Sequence, residues 1–149
     1  MSFVSKLFGR GQQAESSEKQ GLGSREAIQL ARQGRIPANE MLGSLFAGGL
    51  FVPLSAPPEM NGESIKSWKP ATVSKGDGSQ WLVAFTDADM AAQFSKHNPS
   101  YSHGMRVDAR WVLRTVPPDY GLVVNMGSPE SMFEWNAEGL SRYKAEGLA

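Results

Sequence analysis

Trp81-Leu82-Val83-Ala84-Phe85-Thr86-Asp87-Ala88-Asp89-Met90-Ala91-Ala92-Gln93-Phe94 reads as a buried strand running straight into a capped helix. Residues 81–85 are a short, mostly apolar run, the composition of a strand covered on both faces. Thr86 offers a side-chain oxygen to the free N–H groups of the next turn, and Asp89 stands three residues on, at the capping-box position. Asp87 and Asp89 put negative charge at the positive end of the helix. Met90, Phe94 and the intervening alanines give it an apolar face. A strand that hands over to a helix in this way places the chain in the α/β class. It carries no chemistry of its own.

Working outward, Lys75-Gly76-Asp77-Gly78-Ser79 holds an Asp-Gly turn signal and closes a hairpin between residues 65–74, interrupted by Pro70, and residues 81–85. Leu50-Phe51-Val52-Pro53-Leu54 is a further short strand. Pro53 lacks a ladder donor, which predicts that this strand lies at an edge or finishes there. Two helices precede it. Ser24 caps the first, with Ala27, Ile28, Leu30 and Ala31 behind it and Gly34 at its end. Pro37 opens the second, which carries Met41, Leu42, Leu45 and Phe46 and stops at Gly48-Gly49.

Downstream, residues 97–104 are rich in turn formers and predict a loop. Residues 107–116 read as a helix closed by Pro117-Pro118, and residues 122–125 as a buried strand ended by Gly127-Ser128-Pro129. Residues 132–135 suit one more short strand, and Asn136 can cap a last helix through Leu140 and Tyr143. This order predicts a single α/β (α+β) domain over residues 24–149, a mixed sheet packed by helices. Residues 1–23 form a short amphipathic segment and a polar linker. Within it Phe3, Val4, Leu7 and Phe8 stand at helical spacing, with weak membrane contact through Phe3, Leu7 and Phe8 as the most it can offer.

Composition narrows the function classes. Fifteen basic residues balance fifteen acidic ones, so no global field draws in nucleic acid or anionic lipid. The absence of cysteine excludes disulfides, thiolate metal sites and cysteine nucleophiles, and it suits the cytoplasm. No apolar run approaches the ~20 residues that span a bilayer.

Candidate sites are few. His97 and His103, six residues apart, match no zinc-ligand spacing, so no metal or other cofactor is expected. No serine has a nucleophile-elbow context, and Asp87 and Asp89 are already explained by the helix start; no catalytic residue stands out. Gly121-Leu122-Val123-Val124-Asn125-Met126-Gly127-Ser128 has a strand-then-turn form. If residues 81–85 and 122–125 are parallel, Thr86, Asp87, Asn125, Gly127 and Ser128 meet at one sheet end, where open α/β sheets bind ligands. A tight turn bonded to its own backbone is the simpler account of Asn125 and Ser128.

Arg106, Arg110 and Arg114 recur every four residues and, on a helix over 107–116, make one stripe beside Trp111 and Tyr101. Arginine and aromatic residues are enriched where proteins bind proteins.

Three blocks resemble the N-terminal domain of the SseB-type bacterial proteins, named for enhanced serine sensitivity. Met41-Leu42-Gly43-Ser44-Leu45 with Leu50-Phe51-Val52-Pro53-Leu54 is similar to the family's opening helix and strand. Trp81-Leu82-Val83-Ala84-Phe85-Thr86-Asp87 is similar to its central strand and helix cap, and residues 121–128 to its later strand and turn, with Met126 where the family usually has proline. The resemblance implies a small intracellular α/β domain with no established catalytic residues. The expectation is therefore a non-catalytic protein-binding module, an adaptor or immunity-type inhibitor, using Arg106, Arg110, Trp111 and Arg114, with Trp68 and Trp135 in reserve. The alternatives are a small-ligand or phosphate-binding, enzyme-like domain at the Thr86/Asn125 strand ends and a structural subunit of a larger complex.

Overall fold

The computed structural model describes residues 2–3 and 23–145. In chain order the elements are β1 (Ser2–Phe3), α1 (Ser24–Arg32), α2 (Ala38–Gly48), β2 (Leu50–Leu54), β3 (Glu59–Asn61), β4 (Ser64–Ser67), β5 (Thr72–Ser74) and β6 (Gln80–Ala84). There follow α3 (Ala88–His97), a 3-10 turn (Pro99–Tyr101), β7 (His103–Val107), α4 (Ala109–Thr115), β8 (Tyr120–Val124), β9 (Phe133–Trp135) and α5 (Ala137–Ala145). This is the mixed α+β fold that the pattern of apolar runs and turn signals implies.

The strands lie in the orders β1-β7-β2 and β5-β6-β8-β9, with β3-β4 as a separate hairpin. Backbone bridges Phe51–Phe85 and Leu54–Pro70 join the first two groups. β6 and β8 are parallel, Ala84 opposite Val124, and the chain between them passes through α3, β7 and α4. The Lys75–Ser79 turn closes β5 onto β6 in antiparallel register, as its Asp-Gly signal predicts.

Alternation along the strands divides the core in two. Leu82, Ala84, Leu122 and Val124 face α1, α2, α4 and α5, and join Leu50, Val52, Leu54, Met105 and Val107 in the larger cluster. Trp81, Val83, Phe85 and Val123 face the other way, against Ala91 and Phe94 of α3. Both faces of β6 and β8 are thus covered, and each fully buried Leu or Val contributes about 1.5–3 kcal/mol. Gly121 sits opposite Trp81, and a Cβ there would lie 2.5–2.8 Å from the indole ring carbons. The ring occupies the space that only glycine leaves open.

Some expectations are corrected. β2 finishes at Leu54, one residue past Pro53, as the proline implies, but its outer side is not free. It pairs with β7 on one side, and on the other Phe51 exchanges backbone hydrogen bonds with Phe85 while the Pro53 carbonyl accepts from Ala71 N–H. The missing Pro53 donor falls where the Ala71 carbonyl is already taken by Val83 N–H, so no acceptor is left unpaired. The loop of residues 97–104 ends early, because His103 and Gly104 begin β7, and the helix of residues 107–116 starts only at Ala109. Met105 and Val107 alternate into the core at period two, and the Asp108 carboxylate accepts from Trp111 N–H (3.3 Å) as the N-cap. At the N-terminus, Ser2 and Phe3 pair parallel with His103 and Gly104 in a strand rather than a helical turn. Val4, Leu7 and Phe8 lie outside the described residues. Among the described residues no helix is long and apolar enough to cross a membrane.

Candidate functional site

The four arginine-face residues occupy three different settings. Arg106 is on β7, not on a helix. Its Nε and Nη2 donate to the Gly48 carbonyl at 3.2 and 2.6 Å. α2 has no basic residue in its last turn, so Arg106 supplies the cation that its C-terminal end favours. Burial lowers the Arg106 pKa from the usual arginine range. The expected three-arginine stripe therefore does not exist, because its first member lies on a different element and holds the fold.

Arg110 and Arg114 do share α4. The Arg110 guanidinium lies over the Phe46 ring, 4.3 Å from its centroid. Arg114 is exposed and, among the described residues, makes no hydrogen bond or ion pair. Trp111 is half-buried and meets Trp68 edge-on with centroids 4.8 Å apart. Tyr101 packs against Phe94 (6.1 Å) under α3, on the other side of the sheet, and takes no part.

What joins Trp111, Arg114 and Arg106 is a depression of about 390 Å³. Its other walls are Met105 and Val107 of β7, Asp108 at the head of α4, and Met60, Glu63, Ser64 and Ile65 of the β3-β4 hairpin. The hairpin is not among the elements expected from the sequence, where the 65–74 run stands as a single interrupted strand. The signal was present: Asn61-Gly62 is a two-strand turn motif, and Gly62 takes φ +67°. Trp135 lies elsewhere, edge-on to Tyr143 (4.7 Å) and Phe133 (5.5 Å).

The strand ends of β6 and β8 do bring Thr86 and Asn125 together. Thr86 N–H donates to Asn125 Oδ1 (2.9 Å), and Asn125 Nδ2 donates to Thr86 Oγ1 and to the Ser131 carbonyl, both at 3.1 Å. Asn125 is wholly buried at φ +61°, a conformation asparagine tolerates. This network corrects the capping expectation: Thr86 Oγ1 is engaged by Asn125 and by Asp87 Oδ2 (3.2 Å), and the N-cap of α3 is Asp87, with no side-chain cap bond. The Asp87 carboxylate stands 3.9 Å from Arg25, both about half exposed, a pair worth little in water. Gly127 and Ser128 line a separate depression of about 350 Å³ with Met90, Phe94 and Met126, and Ser128 Oγ is bonded to Ser131 Oγ (2.8 Å). The polar groups expected to cradle a ligand are thus bonded to one another.

Among the described residues no three histidine, aspartate or glutamate side chains gather as a metal site would require. His97 Nδ1 lies 2.9 Å from the Gln93 carbonyl at the end of α3, while His103 is in β7.

Fold and geometry thus define a small α+β domain with a mixed sheet, helices on both faces and a groove between β7, α4 and a β-hairpin. The SseB protein N-terminal domain matches residues 25–133, and the chain belongs to that family. Neither a curated protein nor a solved structure matches it.

Proposed function

We propose that this domain is a non-catalytic protein-binding module whose partner sits in the groove beside Trp111 and Arg114. The observation that carries the reading is Arg114: an exposed guanidinium without a partner among the described residues, at the rim of a depression walled by Trp111, Met60, Ile65 and Met105. A cation next to half-buried aromatic and methionine surface is the composition of interface anchors, and it favours a partner that presents carboxylates. An adaptor or an immunity-type inhibitor acting in the cytoplasm fits this arrangement. A structural subunit would use the same groove and differ in the permanence of the contact. The enzyme-like reading draws less support, since Thr86 and Asn125 satisfy each other at the strand ends.

The test is affinity capture from the native cytosol with wild type, Arg114→Glu, Trp111→Ala and, on the opposite face of the sheet, Lys96→Glu. A protein retained by wild type and Lys96→Glu but lost by the two groove variants supports the proposal. Retention by all four removes the groove from consideration.

A further inference from the structure

The depression at the carboxyl end of α3 is distinct from the groove, and its walls come from one stretch of chain, Phe85 to Ser128. Buried Phe85 and Phe94, with ring centroids 5.6 Å apart, form its floor, and half-buried Met90 and Met126 flank them. Methionine adapts its shape to what it touches and packs well on aromatic rings. At about 350 Å³ the space falls within the range of small-molecule sites, about 300–1,000 Å³.

The rim is polar in one sense only. The Gln93 carbonyl, 2.9 Å from His97 Nδ1, can only accept, so Nδ1 carries the proton and Nε2 of the neutral ring is an acceptor. Asn98 Nδ2 donates to the Phe94 carbonyl (2.8 Å), which leaves Oδ1 as the acceptor of that carboxamide. Among the described residues neither Nε2 nor Oδ1 has a hydrogen-bond partner. The carboxyl end of α3 adds negative partial charge to the same rim. Among the described residues no lysine, arginine, aspartate or glutamate lines the depression. An anion finds no donor set there, and a cation would give up water against apolar walls without a carboxylate to replace it.

We infer that this depression binds a small neutral molecule with a flat aromatic body and an N–H or O–H donor. The body lies against Met90, Phe94 and Met126, and the donor is received by His97 Nε2, with Asn98 Oδ1 as a second acceptor. The floor belongs to the core cluster on the other side of the sheet from Met105 and Val107, so the site is independent of the groove beside Trp111 and Arg114.

The experiment is NMR titration of the full-length chain, isotope-labelled at its methionine methyl groups, with indole and with N-methylindole as probes. Met90→Leu and Met126→Leu assign the two signals of the depression. Indole shifts both and leaves those of Met41 and Met105, in the other core cluster, in place. N-methylindole, the same body without the donor, binds about fivefold or more weakly. His97→Phe, at an exposed position, removes that difference between the probes. Gln93→Trp, also at an exposed helix position, fills the depression and abolishes the shifts. An absence of shifts up to the solubility limit of indole overturns the site. Equal affinities of the wild-type chain for the two probes overturn the donor assignment, a comparison that needs no variant to fold.

Discussion

Asn125 and Thr86 clasp each other across the ends of two parallel strands, one carboxamide accepting the Thr86 N–H and donating to its hydroxyl. The parallel register that sets Ala84 opposite Val124 puts the two residues side by side where β6 gives way to α3 and β8 to its following turn. The clasp therefore ties both exits of the central strand pair. Asn125→Ala leaves the Thr86 N–H and the Ser131 carbonyl unpaired and holds alanine at φ +61°, with an expected loss of about 3 kcal/mol. Asn125→Gly escapes the backbone strain and should lose about 1 kcal/mol less. Urea unfolding of the two variants checks the order; equal losses would assign no strain to this position.

Arg106 and Arg114 look equivalent in the sequence and differ in the fold. Arg106→Met removes two donors from the half-buried Gly48 carbonyl and should cost about 1.5–3 kcal/mol. Arg114→Ala should change stability by no more than about 0.5 kcal/mol. Thermal or chemical unfolding separates them, and a destabilised Arg114 variant would contradict the assignment of that side chain to the surface.

Gly121→Ala drives a methyl group into the Trp81 indole, which is only 7 % exposed and is held by its Nε1–H to Ser79 Oγ (2.8 Å) and by Lys75 Nζ over its ring (3.9 Å). The expected destabilisation is about 1–3 kcal/mol with a shifted tryptophan emission, both read in one equilibrium titration. An unchanged midpoint would mean that the ring moves aside freely.

Asp77 carries a pH signature. The Ser79 hydroxyl (2.6 Å), followed by its N–H (2.9 Å), holds the carboxyl below its ordinary value of 3.8. A depressed folded pKa means that the contribution is fully present above about 3.8 and is lost as pH falls through the lower folded value. The stability difference between wild type and Asp77→Ala should be flat from neutral pH down to that point and shrink below it. A difference that grows on acidification would reverse the sign.

Sequence patterning made the fold class legible because the elements that decide it are local. The 81–94 stretch, the Asp-Gly turn, and Asn136, whose Oδ1 accepts from Gly139 N–H (2.7 Å), each act within a few residues. Two of the misreadings involve partners distant in sequence. Pro53 suggests an edge until Ala71 and Val83 are seen to meet beside it, and Thr86 suggests a cap until Asn125 arrives from 39 residues away. The arginine spacing mimics a helix face, and only Asp108, as a cap, marks where α4 begins. Of the candidate face, Arg106, Trp111 and Arg114 line one groove, while Arg110 lies over Phe46. The hairpin that walls it escaped notice, since three- and four-residue strands leave almost no periodic signal.

The most direct test of the account is calorimetric titration of the captured partner against wild type, Arg114→Glu and Lys96→Glu. The account predicts that Arg114→Glu raises Kd by about tenfold or more, with the Lys96→Glu variant binding like wild type. Equal affinities for wild type and Arg114→Glu would contradict it.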